Sequence, residues 1–216
     1  MTRLSAVKGG FPDFDQYWSN SDHANFSGNL RDSKSGNLLE IQGGQIVFTH
    51  HSPAVERALN LEESISEFLK FYKVITKHLG SPAIRRIGIV GEFYSSTCTP
   101  ENCSLYLSDK LVRFNRDKKG SKRFQLVFDD QEPIGSAQRI DPASSEFWNS
   151  IYNIYPSELD ATTATEGGFR TTLDVQRYYN PAPSDVSKVI HAVVDKFRSK
   201  RKSLKEEFVS LGLIDV

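Results

Sequence analysis

The chain has 216 residues, 38 % hydrophobic and 25 % charged, a composition that suits an ordinary folded protein and excludes a disordered one. Lysine plus arginine and aspartate plus glutamate number 27 each, so the formal net charge is zero. That balance argues against a dedicated nucleic-acid coat while leaving room for a local basic patch.

Residues 1–36 read as an N-terminal segment rich in Gly, Asn, Ser and Asp. It is pinned by Phe11, Phe14, Tyr17, Trp18 and Phe26, with a strand near 25–31. NLLEIQ (37–42) and QIVFTHH (45–51), split by Gly43-Gly44, carry the pattern of a β-hairpin with a glycine turn. Leu61, Ile65, Phe68, Tyr72, Ile75 and Leu79 recur at steps of four and three, the stripe of an amphipathic helix. Asn60 with Glu63 predicts its N-terminal cap, and Gly80 with Pro82 its stop.

AIRRIGIVGEFYS (83–95) predicts a strand. SLYL (104–107) reads as a further strand, and KLVRFN (110–115) as one arm of a hairpin with FQLVFDD (124–130) around Asp117-Lys-Lys-Gly. Asp141-Pro142 predicts a short helix carrying Phe147, Trp148, Ile151 and Tyr155. Residues 157–168 read as a loop, 169–179 as a strand, and the stretch after NPAPSD as a long helix. The stripe of that helix is Ile190, Val194, Phe197, Leu204, Phe208 and Leu211, interrupted by Arg201.

Two heptapeptides align without a gap: VFTHHSP (47–53) and VQRYYNP (175–181). Each ends a strand ahead of a helix, the helices end in His78-Leu79-Gly80 and Ser210-Leu211-Gly212, and strand-like residues follow both. The pattern predicts an internal duplication of a strand–strand–helix–strand unit. His50-His51 and Tyr178-Tyr179 are then paired rings that pack an apolar body and keep a polar tip in water. Strand neighbours point to opposite faces, so the two imidazoles are poorly placed to share a metal ion.

The expected fold class is α+β, with two related units built from mainly antiparallel sheet and amphipathic helices packed on one face. Residues 37–108 form the first unit and 109–216 the second, with the long C-terminal helix; a single compact domain is the alternative.

Arg86-Ile87-Gly88, the strand LDVQRYY (173–179) and the helix from Ser184 to Leu211 carry a resemblance. Across residues 37–212 the chain resembles a group of uncharacterised bacterial α+β proteins with an Arg-Ile-Gly strand and a long C-terminal helix. Members continue that strand with a Tyr-Ile-Asn-type stretch, where this chain has Ile-Val-Gly-Glu-Phe-Tyr. The resemblance implies a fold and no activity.

Arg113, Arg116, Lys118, Lys119, Lys122 and Arg123 crowd one hairpin, and Lys200, Arg201 and Lys202 lie in a second basic run. These are the candidate nucleic-acid or anion contacts, because lysine and arginine release counterions when they meet phosphates. The simpler reading is a solvated hairpin whose charge discourages edge-to-edge pairing. Cys98 and Cys103 have half of a zinc-site pattern and read as free thiols, and Asp129-Asp130-Gln-Glu132 reads as the entry to a turn.

No phosphate-binding glycine loop, nucleophile elbow, His-Glu-x-x-His or paired-carboxylate motif is present. No catalytic residue, metal ligand or cofactor is therefore assigned. The opening MTRLSAVKGGFPDF lacks the apolar stretch of a secretory signal, and no window reaches the roughly 18–20 apolar residues of a membrane helix. With two cysteines making no disulfide framework, a cytoplasmic location is expected. The leading expectation is a non-catalytic binding or adaptor protein that meets another protein or a second copy of itself. The alternatives are a nucleic-acid-binding accessory factor and an enzyme with an unfamiliar site between the two halves.

Overall fold

The computed structural model describes residues 13–19, 27–42, 44–51, 59–98, 103–112, 124–135, 139–157 and 167–214. Pro53, the stretch 113–123 with the six basic residues of the expected hairpin, and positions 158–166 of the expected loop lie outside the described residues. The chain is α+β and forms two compact units, Met1–Pro82 and Ala83–Val216. The division falls ahead of the Arg-Ile-Gly strand rather than at 108, because that strand pairs with the strand at 167–178.

In the first unit, β1 (Gln16–Ser19), β2 (Gly28–Arg31), β3 (Leu38–Gln42) and β4 (Gln45–Thr49) form an antiparallel meander in that order. Gln42 faces Gln45 across the predicted glycine turn, where Gly44 has φ 79°, left-handed backbone that glycine adopts without strain. Alternation sends Leu30, Leu39, Ile41, Ile46 and Phe48 to one face. There they meet α1 (Leu61–Leu79), which closes a core of Phe14, Leu30, Leu39, Phe71 and Ile75. As predicted, Asn60 caps α1, its carboxamide oxygen accepting from the Glu62 amide at 3.1 Å, and Gly80 ends it at φ 87°. The stripe is displaced, however. Phe71 is the most buried aromatic of the helix, whereas Tyr72 is half-buried and stacks on Phe68 at its margin.

In the second unit, β5 (Arg86–Cys98), β6 (Leu126–Pro133), β7 (Phe147–Ser157) and β8 (Gly167–Tyr178) form an antiparallel sheet ordered β5-β8-β7-β6. α2 (Cys103–Leu111) and α3 (Val186–Ser210) pack against it. Three expectations are corrected here. Residues 147–157 are a central strand rather than a helix, because Phe147, Asn149, Tyr152 and Ile154 are buried within a ladder bonded on both sides. Residues 104–107 are helical rather than extended, with Cys103, Leu107 and Ser108 buried at helical spacing. The predicted partner of 124–130 gives way to β7, since 110–111 already belong to α2 and Leu126–Pro133 register with Ile154–Phe147.

α3 is capped by Asp185, whose carboxylate accepts from the Ser187 amide at 3.0 Å. It buries Ile190, Val193, Val194, Phe197 and Phe208. Its end is a Schellman turn: Gly212 has φ 65°, its amide donates to Val209 O, and the Leu213 amide donates to Phe208 O. Leu213 and Ile214 therefore bend into the core instead of continuing as a strand. Strand pairs running into helices, β3–β4–α1 and β7–β8–α3, occur in both units, while the elements around them differ in order. No helix among the described residues is long and apolar enough to cross a membrane.

Candidate functional site

The second basic run is engaged with the fold. β6 presents Asp130 and Glu132 on the face that α3 covers. Lys200 Nζ lies 2.7 Å from Asp130 Oδ2 and 2.6 Å from Glu132 Oε1, and Lys196 Nζ lies 2.6 Å from Glu132 Oε2. Burial works against the Lys200 charge, but its hydrogen bonds to Asp130 and Glu132 prevail and hold its pKa well above the ordinary lysine value. Arg201 sits over the Phe93 ring at 4.8 Å, and Lys202 is exposed with Glu206 3.8 Å away. Two of the acids read as the entry to a turn, Asp130 and Glu132, are thus strand residues that clamp the C-terminal helix.

The clamp gives a pH signature. Hydrogen bonds from Lys196 and then Lys200 hold the Glu132 carboxyl below its ordinary value of 4.5. A lowered folded-state pKa contributes stability that is present above the unfolded value and lost as pH falls through the folded one. Stability should therefore decline on acidification below about pH 4.5, and Glu132→Gln should flatten that limb in urea titrations across the acid range.

Three of the four rings behind the duplication argument pack in place, while the His51 ring is exposed. His50 Nδ1 lies 2.6 Å from Ser64 Oγ in the first turn of α1, and its ring rests on Phe48. The His51 amide donates to Asn37 Oδ1, and its ring borders Gly36. Tyr178 stacks on Phe147 at 4.3 Å, and Tyr179 is buried beneath the Arg177 guanidinium. Cys103 is buried, its thiol donating to Gly168 O. Among the described residues no three His, Cys, Asp or Glu side chains gather as a metal site would require.

What the two sheets present on the faces turned away from their helices is less expected. In the second unit that face carries Arg86, Gly88, Val90 and Glu92 from β5 and Thr172, Asp174, Gln176 and Tyr178 from β8. β7 adds Asn149, Ile151 and Asn153, and β6 adds Val127, Asp129 and Gln131. Val90 is 63 % and Val127 57 % exposed, with half-buried Ile151 between their strands. A polar chain crosses one end: Tyr178 Oη donates to Gln176 Oε1, and Gln176 Nε2 donates to Asp174 Oδ2. Burial raises the Asp174 pKa against the opposing hydrogen bond from Gln176. Beside them Asn149 Oδ1 is buried with no partner among the described residues. At the other end Arg170 pairs with Glu92 at 2.7 Å.

In the first unit the corresponding face carries Gln16 and Trp18 from β1, Asn29 and Arg31 from β2, Leu38 and Glu40 from β3, and Val47 from β4. Trp18 is 56 % exposed, and a cavity of about 380 Å³ is lined by Gln16, Trp18, Asn29, Arg31 and Leu38. Four of the six large apolar side chains exposed among the described residues (Trp18, Val47, Val90 and Val127) stand on these two sheet faces. The sequence reading singled out none of the four as a candidate surface. Comparison with protein-family models, with curated proteins and with solved structures finds no match to this chain.

Proposed function

We propose that the protein is a non-catalytic binding protein of the cytoplasm that docks one partner protein on the outward face of the second sheet. The observation that carries this reading is the exposure of Val90 and Val127 on one strand face, around Ile151 and inside a polar margin. An apolar centre with a polar rim is the anatomy of a protein interface. The partner is a different chain. Asp129, Asp174 and Glu92 on this face outnumber Arg86 and Arg170, so a partner with a basic rim complements it, whereas a second copy would bring the same excess of negative charge.

The test compares cell-extract captures by the wild-type chain and by the double variant Val90→Asp/Val127→Asp, with each captured protein cross-linked and its contact residues mapped. Both positions are exposed, so melting should be unchanged within about 0.5 kcal/mol. A partner cross-linked to β5, β7 or β6 and reduced about tenfold or more by the variant is the expected result. Self-association of the wild type, equal capture by both proteins, or salt-sensitive nucleic-acid binding that the variant retains would each overturn the reading.

A further inference from the structure

We propose that the outward groove of the first sheet is a saccharide site, separate from the docking face above. The register builds it: Trp18 stands directly opposite Asn29, Gln16 opposite Arg31, and Arg31 opposite Leu38. Directly opposed residues of antiparallel strands have Cβ atoms about 4.5–5.5 Å apart. The indole is thus flanked by one carboxamide, with the guanidinium and a second carboxamide one row away.

Each group matches one part of a sugar. A mostly exposed indole offers a flat π face with negative potential, on which the C–H face of a pyranose ring rests. The Asn29 and Gln16 carboxamides each supply donors and an acceptor, the pairing that vicinal hydroxyls require, and Arg31 adds a rigid fork of donors. Leu38 adds an apolar surface to the lining.

Charge and size select among ring-bearing ligands. On this face Arg31 is balanced by Glu40, which sits opposite Asn29, so the groove suits a neutral ligand. A nucleic-acid strand would need several cations to neutralise successive phosphates. A protein interface would need about 800 Å² from each side. The 380 Å³ cavity falls instead in the range of about 300–1,000 Å³ typical of small-ligand sites.

The experiment uses the full chain labelled with fluorotryptophan. The sequence has two tryptophans, Trp18 and Trp148, so fluorine NMR shows two signals, and Trp148→Phe assigns them. The probes are neutral tetrasaccharides of glucose, mannose, galactose, xylose and N-acetylglucosamine, with an oligothymidylate as the polyanionic comparison. At least one tetrasaccharide should move the Trp18 signal and leave the Trp148 signal in place. Asn29→Ala and Arg31→Ala should each weaken that response about tenfold, as loss of a ligand hydrogen bond implies. Trp18→Ala should abolish binding measured by calorimetry. These three side chains project outward, so an unchanged melting point separates lost binding from lost folding. No response to any tetrasaccharide at millimolar concentration overturns the proposal. So does a Trp18 response as large in the Asn29 and Arg31 variants, or one produced by oligothymidylate alone. Val90→Asp/Val127→Asp leaves the response intact, so the two sites succeed or fail separately.

Discussion

Gly168→Ala is expected to destabilise the second unit by about 3 kcal/mol, near the upper end for an overpacked core. A Cβ at Gly168 would collide with the Ser95 carbonyl oxygen and lie 2.5 Å from Tyr94 Oη. The carbonyl is backbone of β5 and registers with β8 at Ser96↔Gly168, so relief requires parting two paired strands rather than turning one side chain. The same glycine offers its own carbonyl to the buried Cys103 thiol, which ties α2 to the sheet at that point. Gly88→Ala is the matched control on the same strand pair. Its Cβ meets Gln176 Cγ at 3.2 Å, a side-chain atom able to yield, and the position is exposed. Gly88→Ala should change stability by under about 1 kcal/mol, either way. Urea denaturation of both variants, followed by circular dichroism, checks the contrast. Equal effects would show that the Ser95 contact does not constrain the sheet.

Position 168 is a useful measure of what could be read ahead of the structure. Its neighbours are set by pairing between strands far apart in sequence, and nothing local announces them. Elements whose evidence is local were legible: the caps at Asn60 and Gly80, the stripe of α3, and the β3–β4 turn follow from adjacent residues. β7 was misread for two physical reasons. Asn149 and Ser150 are both buried, so polar residues break the apolar alternation of a central strand. Asp141 also imitates a helix cap while closing a turn, its carboxylate accepting from the Ala143 amide and the Ser144 hydroxyl. α2 was misread because serines at 104 and 108 occupy buried positions that usually mark a helix by apolar residues.

Candidate surfaces were harder to foresee, for a related reason. Lys200 reads as a free cation until Asp130, seventy positions earlier, is brought against it. Val90 stands with Arg86 and Glu92 in the alternation of β5, opposite Ile87, Ile89 and Phe93, but that its side stays open is known only once α3 is seen to cover the other. Period-two alternation reveals that a strand has two faces. Only tertiary packing decides which face remains in water.

Phe71→Ala is expected to destabilise the first unit by about 3–5 kcal/mol, the usual range for emptying a buried phenylalanine site. Phe71 is 2 % exposed and joins the two sides of its core: its ring meets Phe14 edge-on at 5.2 Å and Phe48 at 4.8 Å. Removing it loses the transfer free energy of the ring, leaves a cavity, and dissolves both aromatic pairs. A total stability of about 5–15 kcal/mol is typical of a folded domain, so the variant should melt far earlier or fail to fold. Tyr72 supplies the contrast, because the heptad stripe selects it over its neighbour. It is half-buried and stands at the margin of the core, so Tyr72→Ala should lose no more than about 1.5 kcal/mol. Amide hydrogen exchange along α1 reads the difference directly: protection of residues 71–76 should collapse in the Phe71 variant and persist in the Tyr72 variant. The reverse order would mean that α1 is turned about its axis, which would also move Ser64 away from His50 and undo the anchoring of that ring.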